Sequence, residues 1–244
     1  MREEKKRRVC ERGRGGRGGR RSYNHTHNSI LSFKVNAKAK DGTTPLHLAC
    51  QRGNQPAVEL LLACDEIDET IMDENGDTPL HEACLSEETK IVEMILEKLK
   101  KRGDIDLLLQ NDKLLTPLHI TCREGYVDIV KLLLKYGFSQ REKLVKAKDN
   151  EQGTPLHLAC ENGLEGNDII VQSLLLNKAD ILAKMENGVT PMHIAAHYGH
   201  VKVMDMLYSS GENIFEVVDD DDQTPLHYAA ENNQEEMMTY LIDK

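Results

Sequence analysis

Apolar residues along this chain come in short bursts at helical spacing, separated by polar runs. AVELLL from Ala57, IVEMIL from Ile91, IVKLLL from Ile129, IVQSLLL from Ile170, VMDML from Val203 and MMTYLI from Met237 each repeat their apolar positions at i, i+3 and i+4. Ahead of each burst lies a shorter apolar element that opens on Thr-Pro. TPLH begins at Thr44, Thr78, Thr116, Thr154 and Thr224, and the variant TPMH at Thr190. In chain order the intervals are 34, 38, 38, 36 and 34 residues, and six of the seven prolines fall in the motif. The pattern predicts pairs of short helices, repeated six times, starting near residues 42, 76, 114, 152, 188 and 222.

The motif has a physical reading. Thr44, Thr78, Thr116, Thr154, Thr190 and Thr224 are N-cap residues, whose hydroxyls accept from free N–H groups of the first turn. Pro45, Pro79, Pro117, Pro155, Pro191 and Pro225 take the first helical position, where a missing N–H costs nothing. Leu and a small residue then give a narrow apolar face. Gly53, Gly125, Gly163 and Gly199 are placed to end these first helices. Polar stretches such as Asp73-Glu74-Asn75-Gly76 lead back to the next Thr as β-turn fingers. Helices this short owe their stability to packing. Each pair must therefore share a core with its neighbours.

With a period near the ~33 residues of that family and a T-P-L-H-x-A motif, residues 41–244 resemble the ankyrin-repeat family. The resemblance implies an all-α solenoid of stacked helix-turn-helix units with β-turn fingers. Intervals above the family period imply insertions: an extended helix or long loop at Glu97–Arg102, about five residues around Ser139–Lys146, and three at Glu165-Gly166-Asn167. Insertions in such arrays are expected in loops. The array runs to Lys244 with no polar capping repeat after it, which reads as a truncated piece of a longer chain.

The resemblance also implies protein recognition along a concave surface made by the fingers and the exposed side of the first helices. The positions that follow each motif are Gln51, Arg52, Ser86, Arg123, Glu124, Glu161, Asn162, His197, Tyr198, Glu231 and Asn232. The finger positions include Glu74, Asn75, Asp112, Lys113, Asn150, Glu151, Glu186, Asn187 and Asp221. These are the expected partner contacts, set against plain solvated surface as the alternative for any one of them. An adaptor or scaffold is the first functional reading. The second is the cytosolic arm of a larger membrane channel, similar to the ankyrin-type transient receptor potential channels.

Composition sharpens this picture. Aromatic residues make up only 4% of the chain, with no Trp and three Phe, which suits thin layers packed by Leu, Ile, Val and Ala. Charge is uneven. Residues 1–21 carry a balance of +7, and the remainder a balance of −17. The acidic body predicts partners with a basic surface, since complementary fields speed encounter. Residues 1–40 read as a basic, Arg/Gly-rich disordered leader. The run Arg12–Arg21 is RGG-like and gives a third reading, RNA association through residues 1–21 alone. The N-terminus MREEKKRRVC has no apolar core of a secretory signal, and no apolar run reaches the ~20 residues of a membrane span. A cytosolic or nuclear protein that inserts no segment into a membrane is expected.

Candidate chemistry is thin. Cys50, Cys84, Cys122 and Cys160 each follow a motif histidine by three residues, which puts two metal-ligand types on one helix face. Ala196 and Ala230 hold the same slot in the last two repeats, so the slot wants a small apolar residue. Adjacent repeats lie roughly 8–10 Å apart, beyond disulfide reach, so free thiols are expected. The histidines His47, His81, His119, His157, His193 and His227 are six copies of one position, where catalysis needs different groups in one pocket. In the family such a histidine is a hydrogen-bonding strut between repeats, and that role is what the resemblance implies. The run Asp219–Asp222 lacks the alternating ligands of a calcium loop and reads as a solvated finger. Neither a cofactor nor a small-molecule substrate is indicated, and a non-enzymatic module is expected.

Overall fold

In every motif the Thr stands in extended backbone and the helix begins at the Pro that follows, as the capping chemistry requires. The computed structural model describes residues 35–103, 105–163, 167–211 and 217–244. The Arg/Gly leader, and the Glu165-Gly166 part of one insertion, lie outside them. Among the described residues the secondary structure is helical and no strand forms. The chain divides into two units, Met1–Asp104 and Ile105–Lys244.

The first unit holds two helical pairs: α1 (Pro45–Gln51) with α2 (Gln55–Leu62), and α3 (Pro79–Leu85) with α4 (Thr89–Arg102). Helix α1 packs on α3 and α2 on α4, so the two hairpins lie side by side in register. Leu46, Cys50 and Val58 of the first pair and Leu80, Ala83, Cys84, Ile91 and Ile95 of the second fill the layer between them. The Glu97–Arg102 insertion is helix, extending α4 to 14 residues before Gly103 closes it in the left-handed conformation. Arg102 folds its guanidinium onto the preceding loop. It pairs with Glu69 at 2.6 Å and donates to the carbonyls of Asp65 and Ile67. Lys98 donates to the carbonyls of Leu62 and Cys64. Ahead of the first motif, Asn36 bonds the backbone of Glu66 and Asp68, and Lys38 donates to the Met72 carbonyl.

The second unit holds four pairs. These are α5 (Pro117–Glu124) with α6 (Val127–Tyr136), α8 (Pro155–Glu161) with α9 (Asn167–Leu176), α10 (Pro191–Tyr198) with α11 (Val201–Ser210), and α12 (Pro225–Glu231) with α13 (Glu235–Asp243). First helices pack on first helices and second on second. The Ser139–Lys146 insertion corrects the expectation of a loop. It forms helix α7 (Arg141–Lys146), which buries Leu144 and Val145 completely or nearly so. Gln140 anchors it by bonding the backbone of Ile105 and Leu107. Asn167, expected between helices, is the buried first residue of α9 and donates to the carbonyls of Ala159 and Asn162.

Gly125 and Gly199 cap their helices at positive φ, where a Cβ is disfavoured. Gly163 does not. Helix α8 ends at extended Asn162, and Gly163 is small because the His200 ring stands 2.6 Å from where a Cβ would be.

Candidate partner-binding surface

The motif histidine does two jobs. Its Nδ1 accepts from the backbone N–H of the N-cap Thr, at 3.1 Å in the repeats of His47, His81, His119, His157 and His227 and 3.2 Å in that of His193. The Thr hydroxyl meets the same nitrogen at 2.8–2.9 Å. This is a capping box with His in place of the usual Glu or Gln. Because Nδ1 accepts, the proton belongs on Nε2. That nitrogen donates forward to a backbone carbonyl of the next finger region: His47 to Asp77 at 3.0 Å, His119 to Ala147 at 3.1 Å, His157 to Val189 at 3.3 Å and His193 to Gln223 at 3.0 Å. Burial favours the neutral ring in these four. It pushes His119 and His157 down to about 4 and lowers His47 and His193 less far. His227 keeps the cap but has an exposed ring. His47, His119, His157 and His193 thus link their helix starts to the next finger region, and all six motif histidines are engaged with their own Thr.

Four of the fingers are built on one residue, five before the motif Thr. Asp73 Oδ1 accepts from the amides of Asn75 and Asp77, Asn111 from Lys113 and Leu115, Asp149 from Glu151 and Gly153, and Asp219 from Asp221 and Gln223. These Asx turns close each finger locally. Met185 holds that place in the fifth repeat, and there a 3₁₀ turn over Glu186–Gly188 substitutes, with Asn187 at positive φ. Neighbouring fingers also join by backbone bonds: Glu74 N–H to Asp41, Asn150 to Lys113, Glu186 to Glu151 and Asp220 to Asn187, at 2.9–3.1 Å. Local closure and cross-bonds fix the finger backbone, and the side chains of Glu74, Asn75, Asp112, Lys113, Asn150, Glu151, Glu186, Asn187 and Asp221 stand exposed on it.

The positions at the ends of the first helices divide. Gln51, Arg52, Arg123, Glu161, Tyr198 and Glu231 are exposed, and Ser86, Glu124, Asn162, His197 and Asn232 are half-buried. Several bridge adjacent repeats. Asn162 donates to the Arg123 carbonyl, the Tyr198 hydroxyl to the Glu161 carboxylate, and Asn232 meets His197 Nδ1, all at 2.7–3.1 Å. His197 also packs edge-on against Tyr198 and Tyr228. This end of the second unit is an aromatic and acidic patch, with Glu161 and Glu231 beside the rings. The Tyr228 hydroxyl donates to Asp219 Oδ2 at 2.8 Å, a tie the sequence reading missed.

The thiols are as chemistry demands of a small-residue slot. Cys50, Cys84, Cys122 and Cys160 are buried and free. Desolvation raises Cys50 to about 12 and the other three further. In the second unit, Leu175 and Leu176 of α9, Ala179 and Ile181 of the turn after it and Met206 of α11 line a groove of about 610 Å³.

A family model for ankyrin repeats matches three times, over residues 22–108, 97–184 and 164–244. The chain belongs to the ankyrin-repeat family. Its repeats are the helical pairs described above. Among curated proteins it is similar to the NF-kappa-B inhibitor cactus of Drosophila yakuba, with 32% identity over 84 residues. That alignment covers 34% of this chain and 17% of the cactus protein, so the chain matches only a small part of that relative's length. No helix among the described residues is long and apolar enough to cross a membrane.

Proposed function

We propose that this ankyrin-repeat chain is a non-enzymatic protein-interaction module, an adaptor or scaffold. The finger side chains, together with the exposed ends of the first helices in each unit, contact partners that present a basic surface. The observation that carries this reading is the finger architecture. Backbones closed by Asx turns and bonded to one another hold a row of exposed polar and acidic side chains that the fold itself does not use. Such preorganisation lowers the entropy cost of binding. The likeness to cactus, an inhibitor of NF-kappa-B, supports a partner that is itself a protein.

The −17 balance of residues 22–244 favours a basic partner segment, and the Glu161, Tyr198 and Glu231 patch offers carboxylates and aromatic faces to a Lys or Arg side chain. The test is affinity capture from cell extract with wild type and with Glu151→Lys, Glu186→Lys, Asp221→Lys combined. The triple variant keeps its circular dichroism and melting midpoint and loses the captured proteins. Capture that is unchanged at every concentration contradicts the assignment of the contact surface.

A further inference from the structure

Nine residues before the motif Thr, three repeats carry Leu107, Val145 and Ile181, and the second repeat carries Glu69. Leu107 and Val145 are 1% exposed and Glu69 is 2% exposed, so a carboxylate occupies a buried position that other repeats fill with apolar side chains. The Arg102 guanidinium meets only one of its oxygens. Nη1 donates to Oε2 at 2.6 Å, and Nη2 is engaged by the carbonyls of Asp65 and Ile67. The two-pronged pairing common between Arg and a carboxylate is therefore not made. Glu69 Oε1 is buried and has no hydrogen-bond partner among the described residues. Such an oxygen is strongly unfavourable unless a donor reaches it.

Glu69 and Arg102 line a pocket of about 410 Å³ together with Asn36, Glu66, Asp68 and Thr70. The donors in its wall are engaged elsewhere. Asn36 bonds the backbone of Glu66 and Asp68, and Thr70 donates its N–H and its hydroxyl to Asp68. Three carboxylates against one guanidinium leave the lining negative. The pocket therefore lacks a donor and lacks positive charge.

The free acceptor decides which cation fits. A guanidinium recognises a carboxylate through both oxygens, and Oε2 of Glu69 is already taken. An ammonium is a compact charge with three separately directed donors, and a single oxygen from each acceptor satisfies it. We propose that this pocket binds a primary alkylammonium group. Glu69 Oε1 accepts one of its N–H donors, and the half-buried Glu66 and Asp68 supply the remaining negative charge. The site shares no residue with the finger positions and does not rest on their assignment as partner contacts.

The test is an NMR titration of the full chain at neutral pH, following backbone amide shifts. Butylammonium chloride is compared, at matched ionic strength, with tetramethylammonium chloride, which has the charge but no N–H donor. In wild type the amides of Asp68, Glu69 and Thr70 respond to butylammonium and saturate with a dissociation constant on the order of 1–10 mM, the range open to so small a ligand. Tetramethylammonium leaves them unmoved. Glu69→Gln, with the rest of its spectrum preserved, loses the response. No saturating shift in wild type up to about 100 mM butylammonium overturns the proposal and leaves Oε1 to water. An equal response to tetramethylammonium overturns it too, and that comparison is read on wild type alone, whether or not the variant folds. So does a response retained in folded Glu69→Gln, which places the cation elsewhere. Nα-acetyl-lysine amide and diaminobutane carry the same group from two sources. The tighter of the two tells whether a protein side chain or a free diamine fills the pocket.

Discussion

At the scale of single residues, the motif histidine explains most of the repeat's design. Its Nδ1 accepts from Thr and its Nε2 donates to the next finger, so only the neutral ring with its proton on Nε2 satisfies both ends. A protonated ring would point N–H at the Thr amide. The linkage sign follows. His119 and His157 have folded values near 4, below the ~6.5 of the unfolded chain, so the unfolded state binds more protons between those values. Stability is full above pH 6.5 and falls as pH drops toward 4, by about 2 kcal/mol per histidine at pH 5. Glu82, raised to about 7 by burial and by the Asp77 and Asp73 carboxylates, acts in the opposite direction and gains stability as pH falls from 8 toward 5. Urea midpoints measured at pH 5, 6 and 7.5 should therefore fall with acidification, and fall more steeply in Glu82→Leu. A flat profile in that variant contradicts the tautomer assignment. The buried thiols give a second residue-scale outcome. In alkylation followed by peptide mass spectrometry, Cys50, Cys84, Cys122 and Cys160 stay unmodified in the native chain and react in denaturant, since their thiolates are suppressed.

At the scale of elements, the sequence was legible wherever one residue type has one physical use. Thr-Pro fixed the start of each first helix, and the i, i+3, i+4 pattern located each second helix. Gly125 and Gly199 mark helix ends because a left-handed cap needs them. Gly163 carries the same letter for a different reason, the close approach of His200, which depends on a neighbour 37 residues away. The insertion at 139–146 gives no helical signal in the sequence, because REKLVK is too short to show a period. Burial of Leu144 makes it a helix. In four repeats the finger residue five before the Thr is visible as Asp or Asn, but its double acceptance from the backbone is not. Among the contact positions, the sequence could mark exposure but not that Asn162 and Tyr198 also bridge repeats. Glu82 was detectable as a charge in an apolar column, and its neighbours could be named only once the finger had been folded back over α3.

Two variants probe these elements. Leu144→Ala removes the fully buried anchor of α7 and should cost about 2–4 kcal/mol in urea unfolding. A loss below 0.5 kcal/mol would mean that α7 is peripheral. Arg102→Ala strips the partner from Glu69, which is 2% exposed, and should cost roughly 3 kcal/mol. Adding Glu69→Leu to that variant should recover much of the loss, because the penalty lies in the stranded carboxylate. No recovery would place the effect in the carbonyl bonds of Arg102 instead.

At the scale of the whole molecule, the recurring device within each unit is the packing of neighbouring hairpins, first helix on first helix and second on second. Leu156, Ala159, Cys160, Ile170, Val171 and Leu174 of the fourth repeat are all buried, and α8 and α9 pack against the repeats on both sides. The histidine and finger bonds run between repeats as well. Stability should therefore reside mainly in the interfaces, which leaves the outer side chains free to vary with the partner. The most direct test is circular dichroism of residues 152–187 alone beside residues 114–221 and the full chain. The account predicts an isolated hairpin without cooperative helical structure, a three-repeat piece that folds, and a higher unfolding midpoint for the full chain. A single hairpin that keeps its native helicity and melts cooperatively would contradict it.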